Sequence, residues 1–349
     1  MNIAFDCERM KYPHTGLFEY CHHLGLSLKA ASAPDDAIKY YLRDGDQKYF
    51  DPSSEFLVRK VLHKFIFPNY NDLDLWHITH QTSVYVPKSD KIKKVLTIHD
   101  LNFLYEEKPA WKQKSYLEKH QRNIDRADHI VAISNFTRND VLKYLKTDGK
   151  PITVIYNGCA EESFVKDIKP VYQPSGPFLF ALGTVNAKKN FHVLVPLLIS
   201  NDLELVISGR TDAAYVIQIM EAAAKYNVAK RVKVTGPVSD QDKSWYFKNC
   251  EAFLFPSLAE GFGIPPIEAM RFGKPTFLSN ATSLPEIGGT AAYYFDNYEP
   301  EHMQKVFNDG MNDYHQKQPA AAIIKHASQF NWKTSAEAYW KVYRDTLTR

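Results

Sequence analysis

Residues 252–278 run Ala252-Phe253-Leu254-Phe255, then Pro256-Ser257, then Glu260-Gly261-Phe262-Gly263-Ile264-Pro265-Pro266-Ile267-Glu268-Ala269-Met270, then Gly273-Lys274-Pro275 and Thr276-Phe277-Leu278. A short apolar run, a glycine-rich loop, a helix opened by two prolines and a second apolar run make one strand–loop–helix–strand unit. That unit, repeated, builds a doubly wound α/β domain. Pro265 and Pro266 suit a first helical turn, where their missing N–H groups cost nothing. The glycines have no Cβ and let backbone approach a ligand. The remaining amides point ahead of the helix, where its dipole favours an anion. The stretch therefore predicts a phosphate site with Glu260 at its mouth and Glu268 a turn inside.

Working outward, similar apolar runs recur along the whole chain. They are Asn2–Asp6, Leu75–Ile78, Lys94–Ile98, His129–Ile133 and Ile152–Ile155, then Phe178–Leu182, Leu203–Ser208, Val232–Thr235 and Ala292–Phe295. Their length and Val/Ile/Leu/Phe content fit parallel strands buried on both faces. Helix patterns lie between them at Phe136–Lys146, Ala213–Tyr226 and Asp240–Asn249. The alternation predicts two Rossmann-like domains: residues 1–165, a linker at 166–176 carrying Pro170, Pro174 and Ser175-Gly176, and residues 177–332. A final amphipathic helix, with Ser335–Leu347 as its clearest part, occupies 333–349 and is expected to cross back to the N-terminal domain. A ligand held by two such domains is expected in the cleft between them, at the C-terminal ends of the strands.

Composition narrows the class. At 349 residues, 44% hydrophobic and 24% charged, the chain is that of an ordinary globular protein long enough for two cores. A net charge of +3 with no clustered basic footprint argues against nucleic-acid binding. The four cysteines (Cys7, Cys21, Cys159, Cys250) form no Cys-x-x-Cys pair, which favours a reduced, cytoplasmic setting. Met1–Asp6 reads as a first strand rather than a signal peptide, and no apolar run approaches membrane-spanning length.

The loops at the expected strand ends carry the chemistry. Gly183-Thr184-Val185-Asn186-Ala187-Lys188-Lys189-Asn190 places two lysines in a turn ahead of a helix, where they can neutralise a diphosphate. Arg210, after Gly209, can fork onto phosphate oxygens. The backbone of Gly236-Pro237-Val238 can read the edge of a base. His99-Asp100 follows a strand of the other domain. Each has a plainer reading as well: a solvated loop for the lysines, a surface ion pair for Arg210, a structural hydrogen-bonded pair for His99-Asp100.

Taken in order, these elements resemble the retaining glycosyltransferases of the GT-B fold, family four, over nearly the whole chain. The Glu260-to-Glu268 spacing is the family's Glu-x7-Glu element. Thr97-Ile98-His99-Asp100-Leu101, Ala132-Ile133-Ser134, Ile155-Tyr156-Asn157-Gly158, Pro256-Ser257 and Ser283-Leu284-Pro285-Glu286 match in order and spacing. The resemblance implies that Glu268 bonds the donor ribose, that Glu260 and the amides of Gly261, Phe262, Gly263 and Ile264 hold the donor sugar and distal phosphate, and that Lys189, aided by Lys188, stabilises the departing diphosphate. It places His99 near the reaction centre and Gly16 near the phosphates, and makes Gly183, Thr184, Arg210 and Val238 part of the donor site. Two positions depart from the common pattern: Thr184 stands where many relatives carry arginine, and Ile287-Gly288-Gly289-Thr290 where acidic residues are usual.

The implied reaction passes through an oxocarbenium-like state with front-face attack. Fixed cations stabilise the leaving diphosphate. Asp44-Gly45-Asp46 and Asp72-Leu73-Asp74 have metal-binding spacing but match no donor position, so no metal and no cofactor are expected. His77 and His80 offer only loose metal-ligand spacing. The resemblance implies GDP-mannose or a UDP-sugar as donor, with the Gly-Thr…Lys-Lys-Asn loop leaning to mannosyltransferases. It implies as acceptor a glycan or a lipid-linked glycan of the cell surface, expected at the N-terminal loops, including Pro13–Gly16 and Leu101–Pro109. Two rivals remain: a sugar-nucleotide epimerase on the same architecture, and a non-catalytic glycan-binding or assembly subunit. Leu57–Phe67 reads as a basic amphipathic helix. It either packs on its own sheet, the preferred reading, or lies on an anionic bilayer at the cytoplasmic face of the inner membrane.

Overall fold

The structure, a computed structural model, describes every residue except His14 and residues 161–167. The expected Pro13–Gly16 loop and the start of the expected 166–176 linker thus fall partly outside the described residues. The chain divides into two compact units. The first comprises Met1–Ala160 with Phe330–Arg349, and the second comprises the described residues within Glu161–Gln329.

In the first unit the elements run β1 (Asn2–Asp6), α1 (Gly16–Ala30), β2 (Ala37–Arg43), β3 (Glu55–Arg59), β4 (Leu75–Ile78), β5 (Lys93–Ile98), α2 (Ala110–Arg126), β6 (His129–Ala132), α3 (Asn135–Tyr144) and β7 (Ile152–Val154). The sheet order is β3-β2-β1-β4-β5-β6-β7. Every pairing is parallel. The second unit follows with β8 (Phe178–Leu182), β9 (Glu204–Ser208), α4 (Ala213–Lys225), β10 (Val232–Gly236), α5 (Asp240–Asn249), β11 (Ala252–Phe255), α6 (Ile264–Arg271), β12 (Thr276–Ser279), α7 (Leu284–Gly288), β13 (Tyr293–Phe295), α8 (Pro300–Lys317) and α9 (Ala320–Ser328). Its sheet, β10-β9-β8-β11-β12-β13, is also parallel throughout. Both are doubly wound sheets whose strand order reverses once, between β1 and β4 and between β8 and β11.

The chain then returns to the first unit as α10 (Trp332–Leu347). Its Tyr339, Trp340 and Tyr343 are buried with Phe5, Tyr20, Leu24 and Leu28 in one core cluster. The Trp340 indole N–H donates to the Leu28 carbonyl at 2.9 Å. This helix is thus part of the first unit's core, and it begins just before the expected boundary at 333. From Ile168 onward, the described part of the expected linker is tied to the second unit. The Ser175 amide and hydroxyl donate to Glu204 at 2.7 and 2.6 Å, and the Tyr172 amide donates to Tyr246 Oη at 3.1 Å.

Two strands escape the sequence reading. β2 sits between charged turns and carries Lys39 and Arg43, so its apolar run is broken. β3 is an edge strand with exposed Glu55 and Val58. The expected helix over Leu57–Phe67 is not formed. Its first residues are the end of β3, and Val61–Lys64 is a single 3-10 turn. Leu57, Val61 and Leu62 suit an edge strand and a turn as well as a helix face, and pairing of β3 with β2 decides the matter. The four cysteines are buried.

Candidate active site

In an open α/β sheet, ligands bind outside the strand ends where the order reverses. In the second unit that point lies between β8 and β11, and both candidate loops leave from those two strands. The loop after β8 is drawn tight. The Asn186 side chain accepts the Lys189 amide at 3.3 Å, and Asn190, at φ 58°, ends a one-turn helix over Ala187–Lys189. Lys188 and Lys189 therefore leave one turn together. The loop after β11 is fastened to it, with the Leu258 amide donating to the Lys188 carbonyl at 2.9 Å.

The side chains complete the junction. The Lys189 ammonium pairs with the Glu260 carboxylate and stands 4.6 Å from the centre of the Phe255 ring. Ser257 Oγ donates to Glu260 Oε1 at 2.6 Å. Thr282 Oγ1 accepts the Glu260 amide at 2.9 Å. Ser283 Oγ lies 3.0 Å from the carbonyls of Glu260 and Phe262. Both side chains of the ion pair are only 13% exposed. Burial, the largest influence on Glu260, would raise its pKa; Lys189, Lys188 and the Ser257 hydroxyl outweigh it and hold the carboxyl below its ordinary range. Burial likewise dominates at Lys189, lowering the ammonium's pKa against the pull of Glu260. Opening such a pair by deleting one partner strands a buried charge, at about 3–5 kcal/mol.

Two glycines are required by contact. A Cβ on Gly209, whose φ is 133°, would lie 2.0 Å from the Gly183 carbonyl oxygen, so the ends of β8 and β9 meet backbone to backbone. Gly263 caps α6 at φ 110°, and a Cβ there would meet Leu284 at 2.8 Å. That conformation turns the 260–263 loop into the helix whose prolines follow at once.

The remaining candidates spread out. Gly261, Phe262 and Gly263 are buried, and Ile264 half-buried, along the same loop. Glu268 lies within α6, and its Oε1 pairs with Lys243 of α5 at 2.8 Å. Thr184 and Arg210 are exposed. The Arg210 carbonyl accepts the Val185 amide at 2.7 Å, which ties it to the lysine loop by backbone. Val238 packs against the apolar cluster under α5. Gly16 and His99 belong to the first unit. Gly16 is exposed at the start of α1, just after the capping Thr15. His99 is buried against Tyr20, and its Nε2–H donates to the Thr79 carbonyl at 2.8 Å. Burial pushes its pKa down to about 4, so the ring is neutral at pH 7.

Sequence reasoning missed Lys243 and Thr282 and gave Ser257 and Ser283 no role. A lysine inside an amphipathic helix carries no local signal of its partner, whereas a Ser-x-x-Glu pair does hint that Ser257 serves Glu260. His77 proves structural: its ring bonds Thr97 Oγ1 at 2.8 Å and Tyr343 Oη at 2.7 Å. His80 Nδ1 accepts the Thr82 amide at 3.1 Å. Among the described residues one group, Glu19, His22 and His23 on α1, brings possible metal-ligand atoms within 4.8 Å of one another. No described helix is long and apolar enough to cross a membrane.

Comparison with known proteins identifies the family. Residues 166–329 match the family described as Glycosyl transferases group 1, and residues 20–162 match Glycosyltransferase Family 4. The chain is 27% identical over 264 residues to the serotype-specific mannosyltransferase WbdA of Escherichia coli, covering 70% of this chain and 32% of WbdA. It thus spans about a third of the length of that relative. It is 25% identical to the O-antigen chain mannosyltransferase B of Escherichia coli, covering 99% of this chain and 100% of the relative. Among solved structures, sucrose-phosphate synthase from Thermosynechococcus elongatus superposes with a TM-score of 0.76 at 17% identity, over 100% of this chain and 99% of the other, which speaks for the fold alone. With both units matched in sequence and two Rossmann-like sheets in place, the chain belongs to the group 1, family 4 glycosyltransferases of the GT-B fold.

Proposed function

We propose that the chain transfers mannose from GDP-mannose to a growing cell-surface glycan, free or lipid-linked, with retention of anomeric configuration. The observation that carries the reading is the Lys189–Glu260 pair, held at the strand-order reversal of the second unit by two loops fastened to each other. Mannosyl specificity is supported by the relatives, both mannosyltransferases by name, and by the Gly-Thr…Lys-Lys-Asn form of the loop after β8. O-antigen or related polysaccharide synthesis, begun in the cytoplasm, is the matching setting.

In this reading the pair is the resting form of a diphosphate site. Glu260 keeps Lys189 pointed and neutralised. An arriving diphosphate competes for the ammonium, and Glu260 is freed toward hydroxyl groups of the sugar. As the glycosidic bond breaks, negative charge grows on the distal phosphate, where Lys189, Lys188 and the loop amides are already aimed. Glu268, steadied by Lys243, takes the ribose. His99 serves as a neutral imidazole. Its Nε2–H is committed to Thr79, so Nδ1 can act only as an acceptor. Charge neutralisation falls to the lysines and amides rather than to a divalent cation, and turnover is expected to survive EDTA.

Thermal shift against GDP, UDP, GDP-mannose and UDP-sugars tests the donor, because a ligand that binds the folded state raises its melting temperature. GDP and GDP-mannose should give the largest shifts. A shift with UDP compounds alone would replace the donor, and none with any nucleotide would reject the reading. The anomeric proton of the product, followed by NMR, decides between retention and inversion.

A further inference from the structure

Between β3 and β4 the chain leaves four large apolar side chains in solvent. Val61, Leu62, Phe65 and Ile66 are 75%, 60%, 72% and 68% exposed within six residues. The ends of this segment are anchored. Leu57 and Phe67 pack on the core beneath, and the Phe67 ring meets Trp76 edge-on at 5.1 Å. Tyr41 Oη, from within the sheet, holds His63 Nδ1 at 2.9 Å. The exposure is therefore built in by the fold. Single exposed apolar residues are ordinary, but a contiguous group marks a surface that meets something.

The neighbouring surface says what. Lys64 and Phe65 form one wall of a hollow of about 310 Å³ whose other lining cations are Lys88, Lys119, Arg122 and Arg126. Lys119, Arg122 and Arg126 share one face of α2 through their spacing. No Asp or Glu lines the hollow, and among the described residues none of these five cations forms an ion pair. Unpaired cations beside exposed apolar side chains complement an interface that is anionic at its surface and hydrocarbon beneath.

We propose that the 61–66 turn and the basic hollow beside it dock the first unit on an anionic phospholipid bilayer, Phe65 and Ile66 entering the acyl boundary and the five cations meeting lipid phosphates. This surface does not depend on the donor assignment.

The test is co-sedimentation of the full chain with phosphatidylcholine vesicles, with and without phosphatidylglycerol. The chain should partition onto the anionic vesicles and be released by salt. Phe65→Ser with Ile66→Ser should lower the partition coefficient roughly tenfold, and so should Lys64→Glu with Arg126→Glu. Lys225→Glu, on exposed α4 of the second unit, should leave it unchanged. All these side chains are exposed, so melting temperatures should hold and binding losses can be read directly. No partition of the native chain onto anionic vesicles overturns the proposal, as does binding indifferent to Phe65 and Ile66. A concentration-dependent dimer that Phe65→Ser with Ile66→Ser disperses, without vesicle binding, would assign the turn to a second copy of the chain instead.

Discussion

The two units share a sheet design but place their polarity in opposite ways. The first buries it. Tyr20, His77, Thr97, Tyr339 and Tyr343 form one hydrogen-bonded network inside the core, with Tyr20 and Tyr339 hydroxyls 2.8 Å apart and Thr97 bonded to His77, Tyr20 and Tyr339. Asp6 and His99 are buried close by in the same unit. The second unit buries Glu204 at the start of β9, bonded to Tyr172 and Ser175, but its Lys189–Glu260 charge pair lies beside the strand ends. A satisfied polar network specifies how a core packs and is costly to break. A charge pair beside strand ends remains within reach of a ligand. The contrast separates residues that hold the molecule together from those proposed to act.

The largest effect should come from the junction. Lys189→Met should lower turnover about 10²–10³-fold and destabilise the second unit by about 3–5 kcal/mol, because Glu260 is left buried and unpaired. Adding Glu260→Gln should restore much of the stability but none of the rate, as read by urea melts and donor turnover. Rate recovery in the double variant would break the comparison. Next, Tyr343→Phe leaves His77 Nδ1 without its partner and should cost about 1–3 kcal/mol with turnover unchanged.

A smaller effect concerns pH and should appear in the first unit. Burial lowers His77 to about 3 and His99 to about 4, so their contribution is full above the unfolded value near 6.5 and is lost as pH falls through the folded values. Asp6 works the other way. Burial, the largest influence, raises it to about 7, so its contribution is full below 3.8 and lost as pH rises through 7. Asp6→Asn should therefore steepen the acid loss between about pH 6.5 and 4, by up to roughly 1 kcal/mol per pH unit, and raise the melting temperature at pH 8. An unchanged pH–stability curve would count against the assignment. The smallest effect is Lys243→Met, which should raise the donor KM a few-fold with little change in kcat, since it only steadies Glu268.

The same contrast governs what could be read in advance. In the second unit β8, β11 and β12 are clean apolar runs, and the candidate loops follow β8 and β11 within a few residues. Local sequence thus places Lys189 and Glu260 near strand ends, although not their contact with each other. In the first unit, β2 is interrupted by Lys39 and Arg43, and His77 looked like a loose metal ligand because its partners, Thr97 and Tyr343, are distant in sequence. Lys243 and Thr282 were illegible for the same reason: each acts through a partner that only the fold brings near. Leu57–Phe67 was misread because a strand edge followed by a turn can imitate a helical stripe when apolar residues are frequent.

The return of α10 to the first unit sets an order of assembly. The second unit is one uninterrupted stretch and can close as soon as it is synthesised. The first cannot finish burying Tyr20, Leu24 and Leu28 until residues 332–347 have been made, after all of the second. On a ribosome it waits half-built while its neighbour completes, with apolar surface open, the condition in which a chain is most prone to aggregate. Truncation ahead of Trp332 should therefore yield a chain whose second unit still melts cooperatively while its first is degraded.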